Sequence, residues 1–167
     1  MSLKNFLAKE GYSFTSETDS ELIAHLLDYF LVTNNSMLDA MYLMIEKLEG
    51  AYAIAAIDRN DESNIVIARN KSPLLIGLGE DELLAASDPL AIGQLTNQFI
   101  FLEDGDVANI SADSYQIYNS LKNKIEREIS EIDISSEASS KGEYKHFMEK
   151  EIFEQPVAVL NLSLIHI

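Results

Sequence analysis

The chain has no cysteine and no tryptophan among its 167 residues, and only three prolines and seven glycines. Without cysteine there are no disulfides, no thiolate metal sites and no cysteine nucleophile within it. Basic residues are also scarce, twelve against twenty-eight acids, for a net charge of −16. Nucleic acids and anionic membranes are bound through an excess of Lys and Arg, so neither is an expected partner. No apolar run approaches the ~20 residues of a membrane span. The N-terminus has no secretory pattern, and the expected location is the cytoplasm.

What remains is a chain that is 47% apolar, enough for one ordinary core. Residues 3–10, LKNFLAKE, have helical spacing and stop at Gly11, a suitable residue just past a helix C-terminus. Tyr12 to Thr15 read as a short strand. The run SETDSE at 16–21 then contains a capping box. Thr18 would accept from the N3 amide, and Glu21 would reach back to the cap amide. Asp19 falls in the first turn, where the helix dipole favours negative charge. The spacing predicts helices over 19–32 and 38–48, the second with Met37, Met41, Met44, Ile45 and Leu48 as a core stripe.

After Gly50 the period shifts from helix to strand. Residues 51–57 form a continuous small and apolar run, and 64–68 return as a hairpin partner across a turn at 58–63. Further strands are expected at 74–78, 83–86, 98–102, 106–110 and 115–118. Residues 121–132 fit either a helix or a last strand. Residues 135–142 read as a linker, followed by a helix from about Glu143 to Gln155-Pro156. Helices followed by closely spaced strands indicate α+β with antiparallel pairing.

Several chemical motifs fail on inspection. Gly77-Leu78-Gly79 lacks the third glycine of a dinucleotide fingerprint and runs into Glu80-Asp81-Glu82, which would repel a pyrophosphate. His25, His146 and His166 are far apart, without metal-ligand spacing; His25, inside an apolar helix, reads as a hydrogen-bonded core imidazole. Ser87-Asp88 reads as a cap leading into Pro89 rather than part of a catalytic triad. No metal or cofactor is implied.

The order of the segments GYSFTSETDSELIAHLL, LEGAYAIAAID, ARNKSPLLIGLG, AASDPLAI, FIFLEDGDVANI and KGEYKHFMEKEIFEQP resembles the glutamine–fructose-6-phosphate aminotransferases (isomerizing), the glucosamine-6-phosphate synthases. The resemblance runs to about Asn161. The S-E-T-D block and the S-P-L-x-I-G strand are similar to class II amidotransferases in general, while the K-E-I-x-E-Q-P helix points to the hexosamine branch. This resemblance implies a partial N-terminal-nucleophile hydrolase fold, with antiparallel sheets between helical layers and the N-terminal portion lacking. It implies a glutaminase that sends ammonia to a sugar-isomerising domain, with glutamine and fructose 6-phosphate as substrates, and a homodimeric full-length protein.

On this reading residues 1–134 are the later part of the glutaminase domain and 135–161 the linker and first helix toward the isomerase. Residues 162–167, LSLIHI, resemble the direct translation of a widely used transposase sequencing adapter and read as a tail without a biological role. The resemblance carries over one site residue, Asp19, which matches the family aspartate that binds the α-amino group of glutamine. Glu17 and Glu21 are assigned to solvent and capping. The family nucleophile, an N-terminal cysteine whose own amine serves as base, has no counterpart here. Ser2 does not replace it, because Ser2 leads into a helical pattern where that nucleophile opens a strand. The Arg and His residues that hold the glutamine carboxylate, and the Asn-Gly oxyanion element, precede the S-E-T-D block in the family. The expected fragment is therefore inactive, with an exposed sheet edge. The alternatives are a non-catalytic α+β amino-acid-binding module, or a piece of a purine-pathway or asparagine-forming amidotransferase.

Overall fold

The computed structural model describes residues 3–34, 36–133 and 144–165. It opens with three helices, α1 (Leu3–Lys9), α2 (Asp19–Asn34) and α3 (Met37–Ile45). Helix α1 ends in a Schellman motif: Tyr12 N–H bonds the Leu7 carbonyl at 3.0 Å and Gly11 N–H bonds the Ala8 carbonyl at 3.3 Å. The motif needs a left-handed residue, and Gly11 supplies it at φ 97°. Leu7 is the one fully buried residue of α1 and anchors it on the other two helices.

Two antiparallel sheets follow. The first has the order β1 (Tyr52–Asp58), β2 (Asp61–Asn70), β6 (Val107–Ile110), β7 (Tyr115–Tyr118), β8 (Lys124–Ile125). The second has the order β4 (Leu83–Ala86), β3 (Leu75–Leu78), β5 (Gln98–Phe101), β9 (Ile129–Glu131). Period-2 alternation splits the first sheet between two cores. Val66, Ala68 and Val107 face the helices, where Leu26, Met41 and Met44 are buried. Ile67, Ala108, Ile110 and Ile117 face the second sheet, against Ile76, Ile100 and Leu102. Cross-strand register builds a row of Ala55, Ile67, Ala108, Ile117 and Ile125 over the first sheet. The opposing sheet carries Ala85, Ile76, Ile100 and Ile129. Large and small residues alternate in the first row as far as Ile117, which helps the layers interdigitate. Ala55 and Ala85, at the ends of these rows, are exposed.

The methionine stripe is core as expected, with Met41 and Met44 at 0% exposure. Asp88 caps a 3₁₀ turn at Pro89–Ala91, accepting from the Leu90 amide at 2.8 Å. This turn and the segment after it lie over β3, where Gly77 leaves room for Ile92 and Thr96. The α+β architecture of two stacked antiparallel sheets with helices over one of them agrees with the sequence reading. On the far face of the second sheet, the cover among the described residues is this short segment.

Several expectations need correction. Tyr12 to Thr15 form no strand; side chains of α2, rather than a partner strand, engage the Ser13 carbonyl and the Thr15 N–H. Helix α3 stops at Ile45, and the β1–β2 turn narrows to Arg59-Asn60, with Asp58 Oδ1 accepting from Asn60 N at 2.9 Å. The ambiguous stretch 121–132 yields the short strands β8 and β9, one in each sheet. Helix α4 (Phe147–Ile165) does not end at Pro156 but runs through it. The ring removes one donor from the Ile152 carbonyl. Residues 162–165 of the adapter-like tail fall inside this helix, whereas the linker at 135–142 lies outside the described residues.

Candidate functional site

The polar run 16–21 sits where the chain enters α2. Its three acids have three different environments. Glu17 is exposed, and no hydrogen bond or ion pair engages it among the described residues. Glu21 is the acceptor for four donors. Its Oε1 takes the Thr15 N–H at 2.7 Å and the Thr15 hydroxyl at 2.8 Å. Its Oε2 takes the Ser16 N–H at 2.7 Å and the Ser16 hydroxyl at 2.6 Å. Bonds from the Ser16 side chain first, then from the Thr15 backbone, pull the Glu21 carboxyl down to about 2.

Half of the expected capping box is present. Thr18 Oγ1 accepts the Glu21 N–H, at 3.4 Å. The reciprocal half is replaced: the Thr18 N–H goes to Ser16 Oγ at 3.3 Å, and the Glu21 carboxylate reaches two and three residues further upstream. The Ser16 proton is spent on Glu21, so in the 2.9 Å Ser16–Thr18 contact the Thr18 hydroxyl donates.

Residues 12–16 run back along α2 as a strap, pinned at three points. Tyr12 donates to Asp28 Oδ2 at 2.7 Å. His25 Nε2 bonds the Ser13 carbonyl at 3.1 Å, which makes that nitrogen the protonated one. Thr15 and Ser16 close onto Glu21. Positions 21, 25 and 28 are spaced four and three apart, one stripe of a helix. The His25 ring lies 5.1 Å from Tyr12 and 5.0 Å from Phe14, which fills the gaps in the zipper. His25 is thus hydrogen-bonded as expected, although it lies under the strap rather than in the main core. Burial first, then the bond to Asp28, push the Tyr12 phenol up to about 12.

Asp19 is the first residue of α2 and is exposed. Among the described residues no hydrogen bond or ion pair engages its carboxylate. It lines a cavity of about 500 Å³ together with Leu22, Ile23, Lys47, Leu48, Glu49 and Tyr52. Gly50, at φ 101°, turns the chain from α3 into β1 at this wall, and its carbonyl accepts from Asn70 Nδ2 at 2.6 Å. Ile23 and Tyr52 also line a groove of about 710 Å³ between α2 and β1. β1 is paired to β2 along one side, and its other side has no partner strand among the described residues. Ala53, Ala55 and Ile57 are exposed, Ile57 at 58%. This is the open edge that the sequence reading expects. A free carboxylate at a positive helix end, above a partly apolar cavity, suits a ligand that carries an ammonium on a short chain.

His146 lies next to α4, far along the chain from this site, and His166 lies outside the described residues. Among the described residues no three His, Cys, Asp or Glu side chains are grouped to hold a metal ion. No helix among them is long and apolar enough to cross a membrane. The sequence reading missed the strap. Its signal was available in the polar stripe Glu21, His25 and Asp28 on an otherwise apolar helix.

Comparison with known proteins gives a consistent picture. The pattern of the family described as "Glutamine amidotransferase domain" matches residues 1–94. The chain is 46% identical over 159 residues to a Vibrio vulnificus (strain YJ016) glutamine–fructose-6-phosphate aminotransferase [isomerizing]. It is 46% identical over 157 residues to the Shewanella oneidensis protein of that name, and 47% over 159 residues to that of Idiomarina loihiensis. These alignments cover 94 to 95% of the chain. The chain spans 26% of the length of each of these curated relatives. Among solved structures, a Bacillus subtilis glutamine phosphoribosylpyrophosphate (PRPP) amidotransferase complexed with ADP and GMP superposes with a TM-score of 0.61. That match covers 73% of this chain and 27% of the other at 24% identity, and so speaks to fold alone.

Proposed function

This chain belongs to the glutamine amidotransferase domain family, and from that premise we propose that it is part of the glutamine-hydrolysing half of an enzyme that makes glucosamine 6-phosphate from fructose 6-phosphate and glutamine. The fold is that of the N-terminal-nucleophile hydrolases. Residues 1–134 form the later part of the glutaminase domain, and 135–161 lead toward a sugar isomerase domain. The whole protein acts in the cytoplasm as a homodimer. The names of the 46 to 47% identical relatives support the choice of reaction.

The observation that carries the reading is the Asp19 carboxylate, unengaged among the described residues at the start of α2 and at the rim of the cavity. It binds the α-ammonium of glutamine. A charge-assisted hydrogen bond to it fixes the amino end of the substrate. The chain contains no cysteine, so the step that breaks the amide lies outside it. The purified chain should release no glutamate from glutamine. In the full-length protein Asp19→Ala should raise the glutamine KM by roughly ten- to hundredfold, the worth of one charge-assisted bond. Isomerisation of fructose 6-phosphate should stay near wild type. Unchanged glutamine kinetics in that variant would refute the assignment.

A further inference from the structure

We propose that Glu21 is a positioning residue for the ammonium-binding carboxylate: by clamping Thr15 and Ser16 it sets the start of α2 so that Asp19 presents its carboxylate at the cavity. This deepens the reading of Asp19 above and rests on it.

The geometry exceeds what helix capping needs. A cap requires one acceptor for one orphan amide of the first turn. Glu21 accepts from no amide of its own helix; its four bonds, at 2.6–2.8 Å, all go to residues upstream of the cap. The ordinary cap beside it, Thr18 to Glu21 N–H, is longer at 3.4 Å. The clamp therefore holds the entry more tightly than the cap does. Ser16 passes that restraint on through Thr18, whose N–H and hydroxyl both donate to Ser16 Oγ, and Thr18 immediately precedes Asp19.

The clamp also separates the roles of two acids that lie two residues apart. An incoming ammonium would be drawn to both carboxylates if both were unsatisfied. Four donors already compensate Glu21, whereas none of the described residues compensates Asp19. Of these two acids, Asp19 is therefore the one left to meet an ammonium. His25, 3.8 Å from Glu21, and Asp28 continue the strap away from the cavity and leave the first turn to Glu21.

The test uses the full-length protein with Glu21→Ala, Glu21→Gln, Asp19→Ala and the double variant. Glutamine KM and kcat are measured, together with inhibition by the monoamide of glutaric acid, which has glutamine's amide and carboxylate but no amine. Glu21→Ala should raise the glutamine KM about tenfold, one loosened charge-assisted contact, with kcat within about twofold. Glu21→Gln, which keeps an acceptor oxygen, should recover most of this loss. The double variant should be no worse than Asp19→Ala alone, because the two residues act as a unit. The amine-free inhibitor should bind all four proteins alike.

If Asp19→Ala raises KM and Glu21→Ala does not, the positioning role is wrong while the ammonium site stands. If Glu21→Ala weakens the amine-free inhibitor as much as glutamine, the role is general folding and the proposal fails. If Asp19→Ala has no effect, the underlying reading fails. Should Glu21→Ala not fold, Ser16→Ala removes one clamp donor; its smaller KM rise must vanish in the Asp19→Ala background, or the proposal is overturned.

Discussion

Arg127→Met should cost the chain about 3 kcal/mol of stability, through a residue no motif singles out. Asp106 is the one buried charged residue among those described, 1% exposed, at the entry to β6. Its Oδ2 accepts from the Glu103 amide at 2.8 Å and from Arg127 Nε at 2.9 Å, and its Oδ1 accepts from Arg127 Nη2 at 3.0 Å. Arg127 lies between β8 of the first sheet and β9 of the second, so this pair locks the crossover to the strand that crosses it. Breaking a buried pair by removing one partner costs about 3–5 kcal/mol, because the remaining charge is stranded. The Glu103 amide still serves Asp106, which places the expected loss near the lower end.

With an m-value of about 2 kcal/mol/M for a chain of this size, the urea midpoint should fall by roughly 1.5 M. The Tm should fall by about 6–12 °C. Arg127→Lys keeps the charge but loses the two-point fork, and should lie between wild type and Met. Asp106→Ala should cost less than Arg127→Met. Its orphaned guanidinium is 23% exposed and keeps Glu103 at 2.8 Å. Circular dichroism during urea unfolding reads all three. A loss below about 1 kcal/mol for Arg127→Met, or the reverse order of the Met and Ala variants, would refute the reasoning.

The strap should open at both pH extremes, from opposite ends. Glu21 is lowered from 4.5 to about 2 in the folded chain, so its contribution is complete above 4.5 and is lost as pH falls toward 2. The protection of the Thr15 and Ser16 amides against exchange, relative to their intrinsic rates, should fall over that range, and Glu21→Gln should abolish the step. Tyr12 is raised from 10.0 to about 12, so its contribution is complete below 10 and is lost as pH rises through 12. Phenolate absorbance with and without Tyr12→Phe reads this end; a phenol titrating near 10 would contradict the Asp28 contact. Truncation after Asp133 should leave the unfolding of the remainder unchanged within about 0.5 kcal/mol, because α4 leaves Met148, Ile152 and Phe153 exposed at 71%, 57% and 64%. A clear drop in the urea midpoint would show that α4 packs on the body.

Local chemistry determined much of this protein from its sequence. Gly11 ends a helix because only a left-handed residue closes a Schellman turn there, and Asp88 before Pro89 could only be a cap. The change of period after Gly50 announced the β1–β2 hairpin, although β1, read as a continuous apolar run, has every second residue exposed, and the order of the motifs pointed to the family before any geometry. Asp19 stood out as a candidate because its type, its helix position and its block of neighbours coincide. The tertiary structure decided what depends on partners distant in sequence. Whether 12–15 pairs as a strand or lies as a strap depends on what is beside it, and the polar stripe of α2 is beside it. Whether 121–132 is helix or strand depends on sheet edges formed by residues far earlier in the chain, since Gln98 and Glu131, and Ile100 and Ile129, must meet. The role of Glu21 was hidden for the same reason. A capping box and an upstream clamp use the same residue at the same spacing, and only the path of the backbone before Thr18 selects between them.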